Sequence, residues 1–507
     1  MILSVCILVM GACELASFRR WNNGNESKQP ALRMKKSYPY LRHTGENVDG
    51  YGYNGLLDEI RENDFSRFKD SAYMDYTGAG QYRDSQIQKA FEEIKNNPFG
   101  NTHSNSPASK HSEIKTEEAR KIILEWFHTD SNHYDVVFTS GATASLHLVG
   151  ETFPWTERSH FYYLRENHNS VLGIREIALA HGASFHVVNS TDVEEGCRSS
   201  SGDSSDAINN LFAYPLEENF SGKIFPKEWI TKIHGKNKFA CSGRWFVLLD
   251  AAAYAPTHDL NLSEFPADFV VLSFYKIFGF PTGLGALLVR KSSAPILHKI
   301  YYGGGSVLQT VTSTGDHRLP SDLARRFEDG TPNFLGISSL RFGFESLREV
   351  GGLSAIERHT EHVRSYLFHG LQKLRHSNGK PVVIIYGDHQ GGPERQGPIV
   401  TVNVLTREGK VVPFTEVEVE AAKRKIHVRA GWHCNPGAAY AAVGMSEEEV
   451  AKQIRNHNCL SGSCVHQSAL TVVNGVMAGA VRISLGYLTT LEDCDRVIDF
   501  FKAVYVQ

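Results

Sequence analysis

The stretch Ser273-Phe274-Tyr275-Lys276-Ile277-Phe278-Gly279-Phe280-Pro281-Thr282-Gly283-Leu284-Gly285 decides how this chain is read. The apolar run 269–272 ahead of it predicts a buried strand, which delivers a hydroxyl and then a lysine into a glycine-rich turn. Twenty-six residues before Lys276, a second apolar run (246–249) ends in Asp250. Neighbouring parallel strands ending in a carboxylate and an amine aim both groups into one crevice at the edge of a sheet.

A lysine able to form a Schiff base, with a carboxylate for a pyridinium nitrogen, is what pyridoxal phosphate chemistry requires. Each residue also has a plainer reading: Asp250 as a cap for the following turn, Lys276 as a solvated loop lysine. Other segments weigh toward the chemistry. Ser140-Gly141-Ala142-Thr143 follows a strand at 136–138 and opens a helix. Its free amides and the positive end of the helix dipole suit a phosphate. The Thr143 hydroxyl adds a donor, and Ser273 can reach the same group. Taken alone, such a turn is an ordinary N-cap.

His168 follows the strand 160–164, in Glu166-Asn167-His168-Asn169-Ser170. There it is either a hydrogen-bonded loop histidine or a ring lying over the cofactor and moving protons near neutral pH. Asn219, past the strand 211–214, can bond the cofactor's phenolic oxygen or a substrate carboxylate. Cys434 occupies the Gly/Pro-bounded loop Arg429-Ala430-Gly431-Trp432-His433-Cys434-Asn435-Pro436-Gly437. Loop exposure and the cationic neighbours His433 and Arg429 favour a thiolate over an inert core cysteine. Arg482, on a late strand, has a fork suited to the carboxylate of an amino acid; its rival reading is a strand arginine in an ion pair.

Composition sets the outer limits. At 507 residues the chain is long enough for two or three packed units, and a net charge of −3 gives no footprint for nucleic acid. Eight cysteines in this length do not make a disulfide scaffold. Cys459 and Cys464 lack a matching Cys/His pair, so no metal site is expected. The apolar start, 1–16, is too short and too interrupted by Glu14 to predict a membrane span. It lacks the basic flank of a signal peptide. Residues 1–47 read as a poorly ordered leader on a cytoplasmic protein.

The remaining pattern is βαβα: strands near 136–138, 160–164, 185–188 and 211–214, and helices near 144–149 and 173–180. It predicts an α/β fold, a mostly parallel sheet covered on both faces. Residues 190–208, rich in Ser, Asp and Gly, read as a solvated insertion. After residue 330 the pattern changes to long helices near 337–350 and 353–376, strands near 382–385, 400–404 and 481–485, and a last helix near 491–504. The expected organisation is a large cofactor-binding domain over 48–330, with 48–70 packing with the small domain, and a smaller α+β domain over 331–507 that carries Cys434.

Taken together, these segments resemble the class V, fold type I pyridoxal-phosphate enzymes, the NifS-like cysteine desulfurases, and in particular the N-terminal desulfurase domain of the molybdenum cofactor sulfurases. The likeness runs from about residue 50 to the C-terminus. It is carried by Tyr73-Met74-Asp75-Tyr76-Thr77-Gly78-Ala79-Gly80, Phe99-Gly100-Asn101-Thr102-His103-Ser104, Phe138-Thr139-Ser140-Gly141-Ala142-Thr143, Asn167 through Arg175, Ser273 through Gly285, Arg326-Phe327-Glu328-Asp329-Gly330-Thr331, the Cys434 loop and Val481 through Tyr487. It implies a seven-stranded sheet and pyridoxal 5′-phosphate held by Lys276 as Schiff-base lysine. Asp250 would pair with the ring nitrogen, His168 would stack on the ring, and Ala142, Thr143 and Ser273 would hold the phosphate. Asn219 and Arg482 would contact the substrate, L-cysteine, and Cys434 would take up its sulfur as a persulfide. The acceptor would be the molybdenum cofactor, whose Mo=O becomes Mo=S. The family is dimeric, and Tyr302-Gly303-Gly304-Gly305 matches a loop lent to the partner subunit.

One departure is local: three residues after Asp250 stands Ala253, where many desulfurases have Gln, so another group must support the phenolic oxygen. Another concerns extent, since sulfurases of this family continue into a MOSC domain and the likeness covers their desulfurase portion. Other readings keep most of the same residues. A general cysteine desulfurase or selenocysteine lyase would use another acceptor. An aminotransferase-type enzyme would not need Cys434, and a non-catalytic remnant would have a disabled site.

Overall fold

Strands covered on both faces read as continuous apolar runs rather than alternating ones. Here they form the middle of a seven-stranded sheet. The computed structural model describes residues 50–195, 208–235, 239, 243–456, 472–473 and 475–507. In chain order the strands of the large sheet are β1 (Tyr134–Thr139), β2 (His160–Leu164), β3 (Ser184–Val188), β4 (Asn209–Pro215), β5 (Arg244–Asp250), β6 (Phe269–Ser273) and β7 (Gly285–Arg290). Their spatial order is β1-β7-β6-β5-β4-β2-β3. Only β7 runs antiparallel to its neighbours. Residues 247–249 and 269–272 are fully enclosed, at 0% exposure. Each such Leu, Val or Phe contributes about 1.5–3 kcal/mol by leaving water.

A second, antiparallel sheet is built from β8 (Val383–Tyr386), β9 (Ile399–Val404), β10 (Arg429–Gly431) and β11 (Ala480–Ser484), in the order β8-β9-β11-β10. The helices Gly352–Gln372 and Leu491–Tyr505 pack on it, the latter opened by a capping box of Thr490 and Asp493. The segment before the large sheet reaches across to these elements. Ala72–Tyr73 pairs in parallel with Ile426–His427, and Arg61 bonds Asp493 at 3.2 Å.

Several expectations change in detail. Lys276 does not sit in a glycine turn but on one turn of helix, Phe274–Phe278, before the glycines begin. The segment that carries Tyr73-Met74-Asp75-Tyr76 begins with a short strand, Ala72–Tyr73. The solvated insertion begins with a helix, Ser190–Glu195, pinned by the fully buried Val193; residues 196–207 lie outside the described residues. So do the leader at 1–47 and the Cys459/Cys464 pair. Among the described residues no helix is long and apolar enough to cross a membrane.

Candidate active site

The parallel register of β5 and β6 sets Asp250 beside Val271, two residues short of the strand end at Ser273. The carboxylate therefore leaves the sheet edge next to the helical turn that carries Lys276. Both border a cavity of about 500 Å³, lined also by Ser140, Gly141, Ala142, Thr143, His168, Asn219 and Ser273. Asp250 satisfies part of its plainer reading as well, since its Oδ1 accepts the Ala252 amide at 2.9 Å. The turn under Lys276 is fixed by close backbone packing. Gly80 donates its amide to the Tyr275 carbonyl at 3.0 Å, and a Cβ at Gly80 would meet the Lys276 carbonyl oxygen at 2.6 Å.

Among the described residues the Lys276 amine has no hydrogen-bond or ion-pair partner. Burial pushes it below the ordinary lysine value; Asp250 opposes the shift, and Arg482 and Arg429 add to it. A larger share of the amine is then the neutral, nucleophilic form. His168 is also held below its usual range, chiefly by burial. Its Nδ1 accepts the Ser170 amide at 3.1 Å, which leaves a neutral ring at the cavity wall.

At the far wall, the helix Ala142–Thr152 starts at Gly141, whose φ of +146° is readily reached only by glycine. Ser273 Oγ accepts the Ala142 amide at 2.8 Å, and the Thr143 hydroxyl lies 2.9 Å from that of Ser170. Amides and hydroxyls at one end, a carboxylate at the other and an amine near the carboxylate fit a phosphate-bearing pyridine aldehyde. The donor set suits its phosphate, the carboxylate its ring nitrogen and the amine its carbonyl.

Arg482 and Asn219 have further duties. Arg482 is 1% exposed; its Nη2 bonds Asp75 at 2.7 Å and its Nη1 the Asn219 carbonyl at 2.9 Å. Its enclosed Nε has no partner among the described residues. Arg482 is not among the residues lining the cavity, and both arms of its fork are engaged, one by the Asn219 carbonyl and one by Asp75, a residue that the sequence reading gave no role. Asn219 borders the cavity, but its amide nitrogen donates to the His433 carbonyl at 2.6 Å.

That bond leads to the cysteine. Cys434 is half-buried and is not among the residues lining the cavity. Its carbonyl accepts the amide of Asn169, next to His168, at 2.7 Å. His433 and Cys434 both adopt left-handed backbone, φ +56° and +57°, a conformation that costs free energy unless neighbours enforce it. Asn435 enforces it. Fully buried, it caps the helix Pro436–Val443 through the Ala438 amide at 3.2 Å. Its Nδ2 reaches the Glu166 carbonyl, Glu218 and Asn219 at 3.2, 3.2 and 3.3 Å. The expectation that His433 is a cationic neighbour is corrected. Its ring is 3% exposed, packs on Phe220 at 5.5 Å, and is held far below its usual range by burial, then by Arg482 and Arg429.

Sequence reasoning missed Asp75, Asn435 and Glu217, a carboxyl on the cavity wall. Glu217 had a usable signal, an acidic residue directly after an apolar strand; the other two act through contacts far apart in sequence.

A mostly parallel sheet with a lysine and a carboxylate converging at its edge defines a class, and the chain belongs to it: the class-V aminotransferase family matches residues 72–497. Among its relatives are the molybdenum cofactor sulfurases of Bos taurus and Homo sapiens. The first is 40% identical over 470 residues, covering 90% of this chain and 52% of the bovine protein. The second is 40% identical over 466 residues, covering 89% of this chain and 52% of the human protein. The chain therefore spans about half the length of these curated relatives. In fold it is similar to the apo cysteine desulfurase from Thermococcus onnurineus NA1, with a TM-score of 0.69 and 21% identity over 88% of this chain and 97% of that one.

Proposed function

We propose that this chain is a pyridoxal 5′-phosphate-dependent cysteine desulfurase of the molybdenum cofactor sulfurase type, which moves sulfur from L-cysteine through a Cys434 persulfide to the molybdenum cofactor. The observation that carries this reading is the convergence of Lys276, Asp250 and the Ala142–Thr152 helix start on one cavity. The sulfurase relatives and the half-buried loop setting of Cys434 support the sulfur chemistry and the acceptor.

Bound there, the cofactor supplies an electron sink for the substrate's α-carbon. Asp250 would hold a proton at the pyridine nitrogen, and the His168 ring would lie against the cofactor. The Thr143 amide and the hydroxyls of Thr143 and Ser273 would bind phosphate, with the Ala142 amide holding the Ser273 hydroxyl in place. Lys276, depressed by burial, takes the α-proton at Nζ and returns it. Arg482 would orient the substrate carboxylate by exchanging the Asn219 carbonyl for it, while Asp75 keeps the other arm in place. The Cys434 thiolate attacks the substrate sulfur. An S–S bond forms, the C–S bond breaks, and its electron pair stays on the substrate carbon, which takes up a proton and leaves as alanine.

The chain is expected to act as a homodimer. Ile300, Tyr301, Leu308 and Val311, flanking the Tyr302–Gly305 loop, are 73, 67, 48 and 45% exposed, a face that suits a second copy. The test of function is direct. Reconstituted protein given L-cysteine should release alanine, acquire a persulfide at Cys434 and activate a desulfo molybdenum hydroxylase. Keto-acid formation without persulfide would overturn the desulfurase reading in favour of an aminotransferase. A persulfide passed only to other acceptors would overturn the molybdenum step.

A further inference from the structure

Glu217 lies two residues past the end of β4 and is 2% exposed. Its neighbour Glu218 is richly bonded, accepting the amides of Phe220 and Ser221 at 2.7 Å each and the Asn435 side chain at 3.2 Å. Glu217 has no hydrogen-bond partner among the described residues, and its Oε2 is enclosed without one. The His258 Nδ1 is 3.7 Å away and already shares a 3.0 Å hydrogen bond with the Thr257 hydroxyl. The Glu217 carboxyl lies against Gly397, where a Cβ would collide with it. Glu217 also lines the cavity of Asp250, Ala253 and Lys276. A buried carboxyl with nothing to bond is costly, and its position on this wall points to a ligand as the missing partner.

The charged and titratable groups around it are Glu218, Arg482, Lys276, His258 and Tyr254. Burial, then Glu218, holds Glu217 well above the usual carboxylate range, against the pull of Arg482 and Lys276. His258 is neutral, pushed down to about 3 by burial. Burial and Glu218 thus favour the protonated form of Glu217, the form with an O–H to give.

The cofactor's polar groups can be matched in turn. Its ring nitrogen belongs to Asp250, its phosphate to 140–143 and Ser273, and its carbonyl carbon to Lys276. The phenolic oxygen remains. Ala253 has no polar side chain to offer it, and Asn219, with one N–H already given to His433, has a single N–H left for cofactor and substrate. We propose that Glu217 donates the hydrogen bond that supports the phenolic oxygen of the bound pyridoxal ring. This rests on the cofactor reading above.

The experiment compares wild type, Glu217→Ala and Glu217→Gln, each reconstituted with pyridoxal 5′-phosphate and titrated by visible absorbance. A neutral donor stabilises the full charge that the phenolic oxygen carries once the Schiff-base nitrogen loses its proton. Glu217→Ala should thus raise the pH midpoint of the chromophore by about one unit, the shift expected of one charge-assisted hydrogen bond. Glu217→Gln keeps a neutral donor and should titrate like wild type. Infrared spectra of the apoprotein at neutral pH should show the carbonyl stretch of a protonated carboxylic acid, lost in Glu217→Gln and shifted in wild type when cofactor is added. That readout does not depend on the alanine variant folding. Three identical midpoints, a midpoint lowered in both variants as for an ionised carboxylate, or a carboxylic acid band that ignores the cofactor would each overturn the proposal. A wild type that forms no chromophore at all would instead overturn the cofactor reading beneath it.

Discussion

Asn435→Ala should release the loop that holds Cys434. Asn435 is fully buried, and its side chain makes four contacts, one accepted from Ala438 and three shared by a single NH2 group. Loss of the N-cap costs about 1 kcal/mol. The shared contacts are not additive, because two N–H bonds serve three acceptors. One of these, Glu218, keeps its bonds to Phe220 and Ser221. About 1–2 kcal/mol covers the remainder, for a total of about 2–3 kcal/mol. In urea denaturation the midpoint should fall with an unchanged slope. Alkylation of Cys434 should accelerate as the left-handed turn relaxes, and persulfide yield on Cys434 should drop. Asn435→Ser retains a capping oxygen and should recover about 1 kcal/mol. A loss below about 0.5 kcal/mol, within the range of an ordinary surface substitution, with unaltered thiol reactivity, would refute the claim that this residue sets the loop.

Three further outcomes are expected. Cys434→Ala should keep the cofactor's absorbance yet yield no protein-bound persulfide, checked by mass spectrometry. Gly80→Ala should weaken cofactor retention and cost about 1–3 kcal/mol by overpacking; the added methyl group must push the Lys276 carbonyl, and both effects can be read by dialysis and thermal melting. Acid should destabilise the fold through His258 and His359, whose ordinary value of 6.5 falls to about 3 by burial. The unfolded chain then binds protons that the folded chain refuses, so stability is full above 6.5 and is lost as pH falls toward about 3. At pH 5 each histidine should cost about 2 kcal/mol, and His359→Gln should flatten the pH dependence of the urea midpoint.

How far the sequence could be read follows from where the signals lie. Asp250 and Lys276 were legible because one ends and the other closely follows an uninterrupted apolar strand, and such strands are adjacent in a parallel sheet. The helix Pro107–Trp126 was not. The buried face of its first half is Ser109, Ser112 and Thr116, so it shows no apolar period. The helical turn under Lys276 was hidden by the glycines that follow it, which suggest an irregular loop. Arg482 was recognised as a carboxylate binder, but its tether to Asp75 spans about 400 residues of chain and leaves no local trace. Cys434 stood out from its Gly/Pro setting. Its neighbour His433 looked like a charge because sequence adjacency does not reveal that the ring turns inward against Phe220.

The account depends most on a covalent link between the Lys276 amine and pyridoxal phosphate. Borohydride reduction of the reconstituted protein, followed by digestion and peptide sequencing, tests it directly. The account predicts a phosphopyridoxyl group on Lys276 and nowhere else. The label on another lysine, or protein that stays unlabelled after reconstitution, would contradict it.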